Sequence, residues 1–357
     1  PDPATFAILP WRPQAGRVCR LLCDVMTPDG QPFGCDARHL LRAAMSGAEE
    51  LGLTVRIGSE CEFYLFEADE HGNITDQPQD HAGYLDVAPF DRGEDVRRDI
   101  CLTLEAMNIR PESSHHERGP GQNEVDFHRA DPLTAADHLI AFHNAVRTVA
   151  TRYGLRASFL PKPLQEEIGN GLHINLSLYR GQQNLFRMQA GKLNSEAQSA
   201  LAGVLRRLPE MSLFLNTLPN SYDRLSDPGA PRRVCWSTAR DESAVRVPAA
   251  QDRFARMQVR SPDPACNAYL AFSLLVCAAL EGVQGQETLD SALLKGEQAA
   301  TLPDNMHDAI VLAGGSAFIR RTLPPEVTRC YLSRAESLLT AHQSDTQGLH
   351  RRLFETF

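Results

Sequence analysis

The chain lacks the basic excess that sequence-independent nucleic-acid binding needs. Its 36 Lys and Arg face 45 Asp and Glu, a net charge of −9, so no nucleic-acid partner is expected. It lacks an apolar run of the ~20 residues that a membrane helix requires. The longest run, Ala265 to Leu280, is interrupted by Asn267 and Ser273 and reads as a buried helix, so no membrane partner is expected either. It lacks any CxxC pair. Its nine cysteines are odd in number and scattered, which excludes a paired disulfide framework. Cys19 and Cys23 have no partner pair downstream to complete a structural zinc site. Reduced thiols and a cytoplasmic setting follow. No signal peptide, internal repeat or low-complexity segment is visible. No methionine precedes Pro1 and the TFAILPWRP segment, an entry that reads as a fragment or a processed chain. Apolar residues at 42% and charged residues at 23% are ordinary for a globular chain, and 357 residues fill one large domain or two ordinary ones. The acidic surplus suits an enzyme whose site is built from acids that metal ions neutralise.

Residues 1–34 read as extended segments with a turn at Thr27-Pro28-Asp29-Gly30 and a strand in RVCRLLCDV. Asp36 caps a predicted helix that carries Leu40, Leu41, Ala44, Ala48 and Leu51 on one face and ends at Gly52. A strand follows over 56–66 and a polar loop over 67–83. A second helix carries Val96, Ile100, Leu104 and Met107. A third opens at Asp131-Pro132 and runs to about Gly154. Strands near 156–160 and 171–179, a helix near 194–207, a loop over 218–234, strands near 243–248 and 254–260, and a long helix over 264–283 complete the reading. Strands and helices without regular alternation predict an α+β fold.

Four segments present polar groups on one strand face. In Glu60-Cys61-Glu62-Phe63-Tyr64-Leu65-Phe66, period two places Glu60 and Glu62 together, roughly 7 Å apart, with Cys61, Phe63 and Leu65 opposite. Two acids so close repel unless cations lie between them or water solvates the face. In a second strand His173, Asn175 and Ser177 alternate with Leu172, Ile174 and Leu176, behind an approach, Gly169-Asn170-Gly171, that admits a ligand or another backbone. A third segment, HHERGPGQNEVDF, contains a Gly-Pro-Gly turn that folds Glu117 towards Glu124. Its His-His-Glu lacks HExxH spacing, and oxygen ligands suit Mg²⁺ or Mn²⁺. In the fourth, Arg256, Gln258 and Arg260 share a face, and Arg246 sits similarly between Val245 and Val247. An arginine fork binds phosphate or carboxylate bidentately. The bland alternative is a solvated charged sheet. Together, acids, one histidine and several arginines on inward-facing strands point to metal-assisted phosphoryl transfer.

These motifs resemble those of the glutamine synthetase family, in particular its shorter bacterial members and the γ-glutamyl-amine ligases. The matching stretches are TFAILPWRP, GSECEFYLFE, HHERGPGQNEVDF, SFLPKP, GNGLHINLSL, LPNSYDRL, RVPAA and RMQVRSPDPACNAYL, in the family's order from residue 2 to about 283. The resemblance implies an α+β catalytic domain over 35–357, whose curved antiparallel sheet is flanked by helices, with 1–34 as the tail of an N-terminal β-grasp domain. It implies ATP-dependent ligation of ammonia or a small amine to the γ-carboxylate of glutamate through a γ-glutamyl phosphate, with two or three Mg²⁺ or Mn²⁺ ions. It also implies a ring-shaped homo-oligomer, a dodecamer where the N-terminal domain is complete.

Carried over residue by residue, Glu62, Glu117 and Glu124 match one metal position. Glu60 and His173 match another, with Gln258 where the family has Glu. Ser177 and Arg256 match ATP-contacting positions. Gly169 and Arg224 match glutamate-binding positions, and Tyr84 matches a tyrosine near the amine site. Arg246 and Arg260 match phosphate-side arginines of the reaction. Two departures accompany Gln258. Gly229 stands where the family has a Glu that deprotonates ammonium, and Asp241 stands at a catalytic arginine position that a one-residue bulge would give to Arg240. Glutamine offers a carbonyl oxygen but no charge, so that metal position is weaker. The alternative reading is a catalytically weak or inactive homologue with an assembly or regulatory role.

Overall fold

The computed structural model describes residues 1–12, 14–239, 242–249, 254–289 and 299–357. At its centre is one long strand. Two short strands precede it, β1 (Ala7–Ile8) and β2 (Cys19–Arg20), paired only with each other. The central strand, β3 (Thr54–Ala68), is followed by β4 (Ile74–Pro78), β5 (Pro111–His116) and β6 (Gln122–Phe127). Then come β7 (Leu155–Ser158), β8 (Leu172–Arg180), β9 (Gln183–Asn184), β10 (Arg233–Ser237), β11 (Ser243–Arg246) and β12 (Met257–Val259). The main sheet runs β10-β11-β12-β8-β3-β6-β5. β3 pairs with β6 on one side. On the other it pairs with β8 over Thr54 to Cys61 and then with β7 over Tyr64 to Glu67. The fork at Cys61–Tyr64 opens the sheet where the acids sit.

The period-two pattern of β3 decides which face is core. Val55, Ile57, Cys61, Phe63 and Leu65 are all buried. Helices cover that face: α1 (Ala37–Glu50), α2 (Glu94–Ala106), α3 (Pro132–Arg152), α4 (Ser195–Leu215) and, after the short α5 (Pro219–Leu225), α6 (Ala268–Gln284). Phe63 meets Phe142 of α3 edge-on at 5.8 Å and lies 5.7 Å from Phe159. Each such aromatic contributes about 1.5–3 kcal/mol on burial. The side chains of Asp36, Asp131 and Asn267 cap α1, α3 and α6 as their residue types favour. Among the described residues, the helices Met306–Gly315, Ala317–Thr322, Pro325–Ser344 and Thr346–Thr356 close the C-terminal side. Among the described residues no helix is long and apolar enough to cross a membrane.

The α+β reading holds, with four local differences. The sheet is mixed, because β10 and β11 run parallel while the other pairs are antiparallel. The expected strand in RVCRLLCDV shrinks to the two residues of β2, and the expected 67–83 loop contains β4. The expected 218–234 loop begins with α5, which has Pro219 in its first turn. The helix expected near 194–207 continues through Pro209 to Leu215. Met211, Leu213, Phe214 and Leu215 are buried, and that apolar burial outweighs the hydrogen bond that Pro209 removes.

Arg38 ties the first residues to this core. It is 4% exposed. Its guanidinium grips Asp137 of α3 through two bonds of 3.2 and 2.9 Å, Asp24 at 2.6 Å and Asp2 at 2.8 Å. Tyr269 of α6 donates to the same Asp137 at 2.6 Å. Removing one partner of a buried charge cluster leaves the other uncompensated. Arg38→Ala is therefore expected to cost about 3–5 kcal/mol, read as a drop in the urea midpoint at unchanged slope.

Candidate active site

Strand register assembles the acids. Glu60 of β3 stands opposite Asp126 of β6 and His173 of β8, and Glu62 stands opposite Glu124. His115 of β5 stands opposite Glu124 from the far side. Glu117 follows β5 in a tight turn: its N–H donates to the Gln122 carbonyl, and Gly121 takes a φ of +67°. A Cβ at Gly121 would press into the Leu65 carbonyl, so only glycine fits this turn at no steric cost. Ligand atoms of His115, Glu117 and Glu124 lie within 4.8 Å of one another, as do those of Glu60, Glu124 and Asp126.

The two halves of this acidic patch are solvated by the protein very differently. Glu60 is saturated with donors. His173 Nδ1 donates to it at 2.9 Å, Asn175 at 2.8 Å, and Gln258 Nε2 to both oxygens at 2.8 and 2.9 Å, with Arg256 at 3.5 Å. Burial alone would raise its carboxyl, but the His173 bond and charge and the Asn175 bond hold it at about 2. Glu62 receives only the Gly171 N–H at 2.7 Å and the Gln122 amide at 3.1 Å. Burial, with Glu117 beside it, pushes Glu62 up to about 7. Burial and then the Glu62 charge raise Glu124 well above the carboxylate range, and burial raises Asp126.

A cavity of about 1070 Å³ opens over this patch. Its other walls carry Arg224, Arg246, Arg256 and Arg260 together with the 227–231 segment. Arg224, at the end of α5, is buried and donates to the Ser261 carbonyl and to the Pro262 carbonyl at 3.1 Å, while its Nε has no protein partner. Gly169 lies against it, and a Cβ there would collide with Pro161 and Arg224. A second cavity of about 910 Å³ adjoins the first, sharing Glu60, Ser113, Asp126 and Arg256.

The glutamine synthetase catalytic-domain family model matches residues 34–351. The chain belongs to the glutamine synthetase family. It is 41% identical over 348 residues to a glutamine synthetase of Clostridium saccharobutylicum, covering 93% of this chain and 78% of that protein. A glutamine synthetase of Methanosarcina mazei is 41% identical over 350 residues, with 94% and 78% covered. Among solved structures, one described as a GmaS/ADP complex superposes with a TM-score of 0.86 at 28% identity, covering 99% of this chain and 84% of that one. The glutamine synthetase of Plasmodium falciparum, at a TM-score of 0.84, 20% identity and 95% and 82% coverage, shares the fold.

Of the residues singled out by the glutamine synthetase resemblance, Glu60, Glu62, Tyr84, Glu117, Glu124, Gly169, His173, Arg224, Arg246, Arg256, Gln258 and Arg260 all line the large cavity. Ser177 does not. Its hydroxyl is buried, donating to the Ala255 carbonyl at 3.0 Å and accepting from Arg129 at 2.8 Å. Arg240 and Asp241 lie outside the described residues. Gly229 lines the cavity with nothing within 4 Å of where a Cβ would sit, at a φ of +80° that strains any other residue. Asp126 and His115 also contribute without having been assigned a role, and Asn175, placed on the His173 face by the sequence, had none assigned either. Asp126 follows Glu124 at period two, and Asn175 follows His173 in the same way, so strand alternation carried both.

The donor set fits a divalent cation. Glu62 and Glu124 have few protein hydrogen-bond donors for their charge, and with Glu117 they form an oxygen-rich set of the kind that suits a divalent cation. The sign of the pH effect follows. A carboxyl raised from an unfolded value of about 4.3 to about 7 contributes stability that is full below 4.3 and lost as pH rises through 7. Metal-free protein is therefore expected to lose melting temperature between pH 5 and 7.5. Added Mn²⁺ should restore it at pH 7.5 and have little effect at pH 5. A flat metal-free profile in calorimetry would contradict this assignment.

Proposed function

We propose that the chain joins ammonia or a small amine to the γ-carboxylate of glutamate at the expense of ATP, through a γ-glutamyl phosphate. One observation carries the reading: a single cavity faces under-solvated carboxylates with the buried Arg224 and the half-buried Arg246, Arg256 and Arg260. Arg224, with its unpartnered Nε beside Gly169, suits the α-carboxylate of glutamate. Arg246 and Arg260 line the same cavity, and as fixed donors they would meet charge on a transferring phosphoryl group. Arg256 faces both cavities, and the second has room for the nucleotide. Ser177, bonded to Arg129 and Ala255, supports that wall rather than reaching into the cavity.

Glu62, Glu117 and Glu124 would hold one Mg²⁺ or Mn²⁺, and Glu60, His173 and Gln258 a weaker second. Bound there, such ions neutralise phosphate charge and orient the phosphates. The protein's own contribution is alignment of the γ-carboxylate, exclusion of water and fixed positive charge. The family resemblance implies a cytoplasmic ring of identical subunits, and we adopt both as part of the proposal. The division at residue 34 is likewise retained. It is supported by the separate β1–β2 pair and by the start of the family match.

A second reading, a weak or inactive homologue, is favoured by Gln258, whose amide occupies both oxygens of Glu60, and by the empty space at Gly229. Neither departure touches the Glu62 half of the site. An organic amine that arrives neutral needs less of what Gly229 lacks.

Phosphate release from ATP with Mg²⁺ or Mn²⁺ and glutamate decides between them, with ammonia, hydroxylamine and a panel of amines as acceptors. Release that requires both glutamate and an acceptor is expected, with an organic amine outperforming ammonia. Background release with every acceptor would leave the inactive homologue. Gly169→Ala displaces Arg224 and is expected to lower kcat/KM for glutamate about 100-fold, while Mn²⁺ affinity stays within twofold of the parent.

A further inference from the structure

Beside the acids lies a second buried polar network. Ligand atoms of Asp80, Asp91 and His116 lie within 4.8 Å of one another, which suggests a cation site. The hydrogen bonds argue otherwise. Asp91 is taken by Arg97 through bonds of 2.5 and 3.1 Å, and Arg97 reaches on to Asn123 at 2.6 Å. Both nitrogens of His116, a fully buried residue, face oxygen acceptors: Nε2 meets Asp80 at 2.9 Å and Nδ1 meets the Glu117 carbonyl at 2.6 Å. No lone pair is left for a metal.

The network joins two parts of the site. Asp80 also accepts the N–H groups of Ala82, Arg92 and Gly121, so one carboxylate closes the 80–92 loop on itself and onto the 117–122 turn. The carbonyl of His116 accepts the Leu85 N–H at 3.0 Å. Leu85 has a φ of +61°, a conformation that a leucine adopts only when held. Tyr84 and Leu85 line the mouth of the cavity, and the Tyr84 ring stands edge-on to His115 at 5.6 Å. On its other side His116 grips Glu117, a member of the acidic cluster.

We propose that His116 is a positioning residue with two arms. The Nε2–Asp80 arm sets the 80–92 loop that shapes the acceptor mouth, and the Nδ1–Glu117 arm sets a cation-holding carboxylate. The proposal rests on the ligase reading for its kinetic consequences but not for its structural ones. The arms are separable, because an asparagine amide reaches roughly where Nδ1 lies and a glutamine amide roughly where Nε2 lies.

The test uses the full chain with Mn²⁺ titrated by electron paramagnetic resonance, acceptor KM from phosphate release, and amide exchange at Leu85. His116→Gln keeps the Asp80 arm. It should weaken Mn²⁺ binding 10–100-fold, the range seen when a metal ligand loses its outer support, with acceptor KM and Leu85 exchange near the parent values. His116→Asn keeps the Glu117 arm. It should leave Mn²⁺ affinity intact while acceptor KM rises at least tenfold and Leu85 exchanges faster. Asp80→Asn should behave like His116→Asn and serves if either histidine variant fails to fold. Equal shifts of all three readouts in both histidine variants, or none in Asp80→Asn, would overturn the proposal. A parent protein that binds no Mn²⁺ and releases no phosphate would overturn the ligase reading instead, leaving Leu85 exchange to judge the loop arm.

Discussion

Glu60 and Glu62 project from one face of β3 while Cys61, Phe63 and Leu65 project from the other. Because side chains on a strand alternate, the strand cannot bury its apolar residues without aiming both acids into the cavity. β6 then adds Glu124 and Asp126 directly opposite. Two unit charges at 4 Å cost about 4 kcal/mol at the effective dielectric of a protein surface, and here four carboxylates share two neighbouring strands. The protein resolves half of this repulsion itself, by surrounding Glu60 with His173, Asn175, Gln258 and Arg256. The other half, around Glu62 and Glu124, is left to bound cations or to protons. The helical layer behind β3, with Phe142 and Phe159 packed on Phe63, holds the acids at these separations.

The arginines are tolerated for the complementary reason. Arg224 is buried, and among the described residues its guanidinium hydrogen-bonds the neutral carbonyls of Ser261 and Pro262, with the buried Asp263 and Glu62 supplying negative charge nearby. Under the proposed ligase reading, the α-carboxylate of glutamate would add an acceptor for its Nε, which has no hydrogen-bond partner among the described residues. The same wall includes the 227–231 segment, where Lys162 donates to Asp227 at 2.5 Å. Charge is thus fixed in place before any ligand arrives, which is the arrangement that electrostatic preorganisation requires.

Much of this was legible from residue order alone. The alternation of Glu60-Cys61-Glu62 and of His173-Ile174-Asn175 determines facing regardless of the rest of the fold, and Asp131-Pro132 marks a helix start by chemistry local to it. Pairing between strands was not legible. Nothing in residues 60–62 says that β3 changes partner from β8 to β7, and nothing in 233–246 says that β10 and β11 run parallel. Ser177 shares a strand face with His173, yet the Ala255 carbonyl and Arg129, both remote in sequence, take its hydroxyl. The buried pairs Arg38–Asp137 and His116–Asp80 are likewise products of tertiary contact, 99 and 36 residues apart.

Under the proposed ligase reading, the two departures that lie in described residues, Gln258 and Gly229, act on different steps, and their consequences need not coincide. Gln258 exchanges a charge for an amide that donates to Glu60, so the Glu60 half of the site is already electrically balanced without an ion. Its effect falls on how the phosphates are neutralised. Gly229 removes a side chain in a loop whose φ of +80° suits glycine, so the loop is shaped for the absence of that group. Its effect falls on how the acceptor loses a proton. An acceptor that is bulkier than ammonia and binds neutral would occupy the space left at Gly229 and bypass the missing base, whereas nothing about the acceptor compensates at Gln258. Under the proposed ligase reading, a site with this pair of changes would take an acceptor other than ammonia and draw its phosphate neutralisation from a cation held at Glu62, Glu117 and Glu124 and from the arginines.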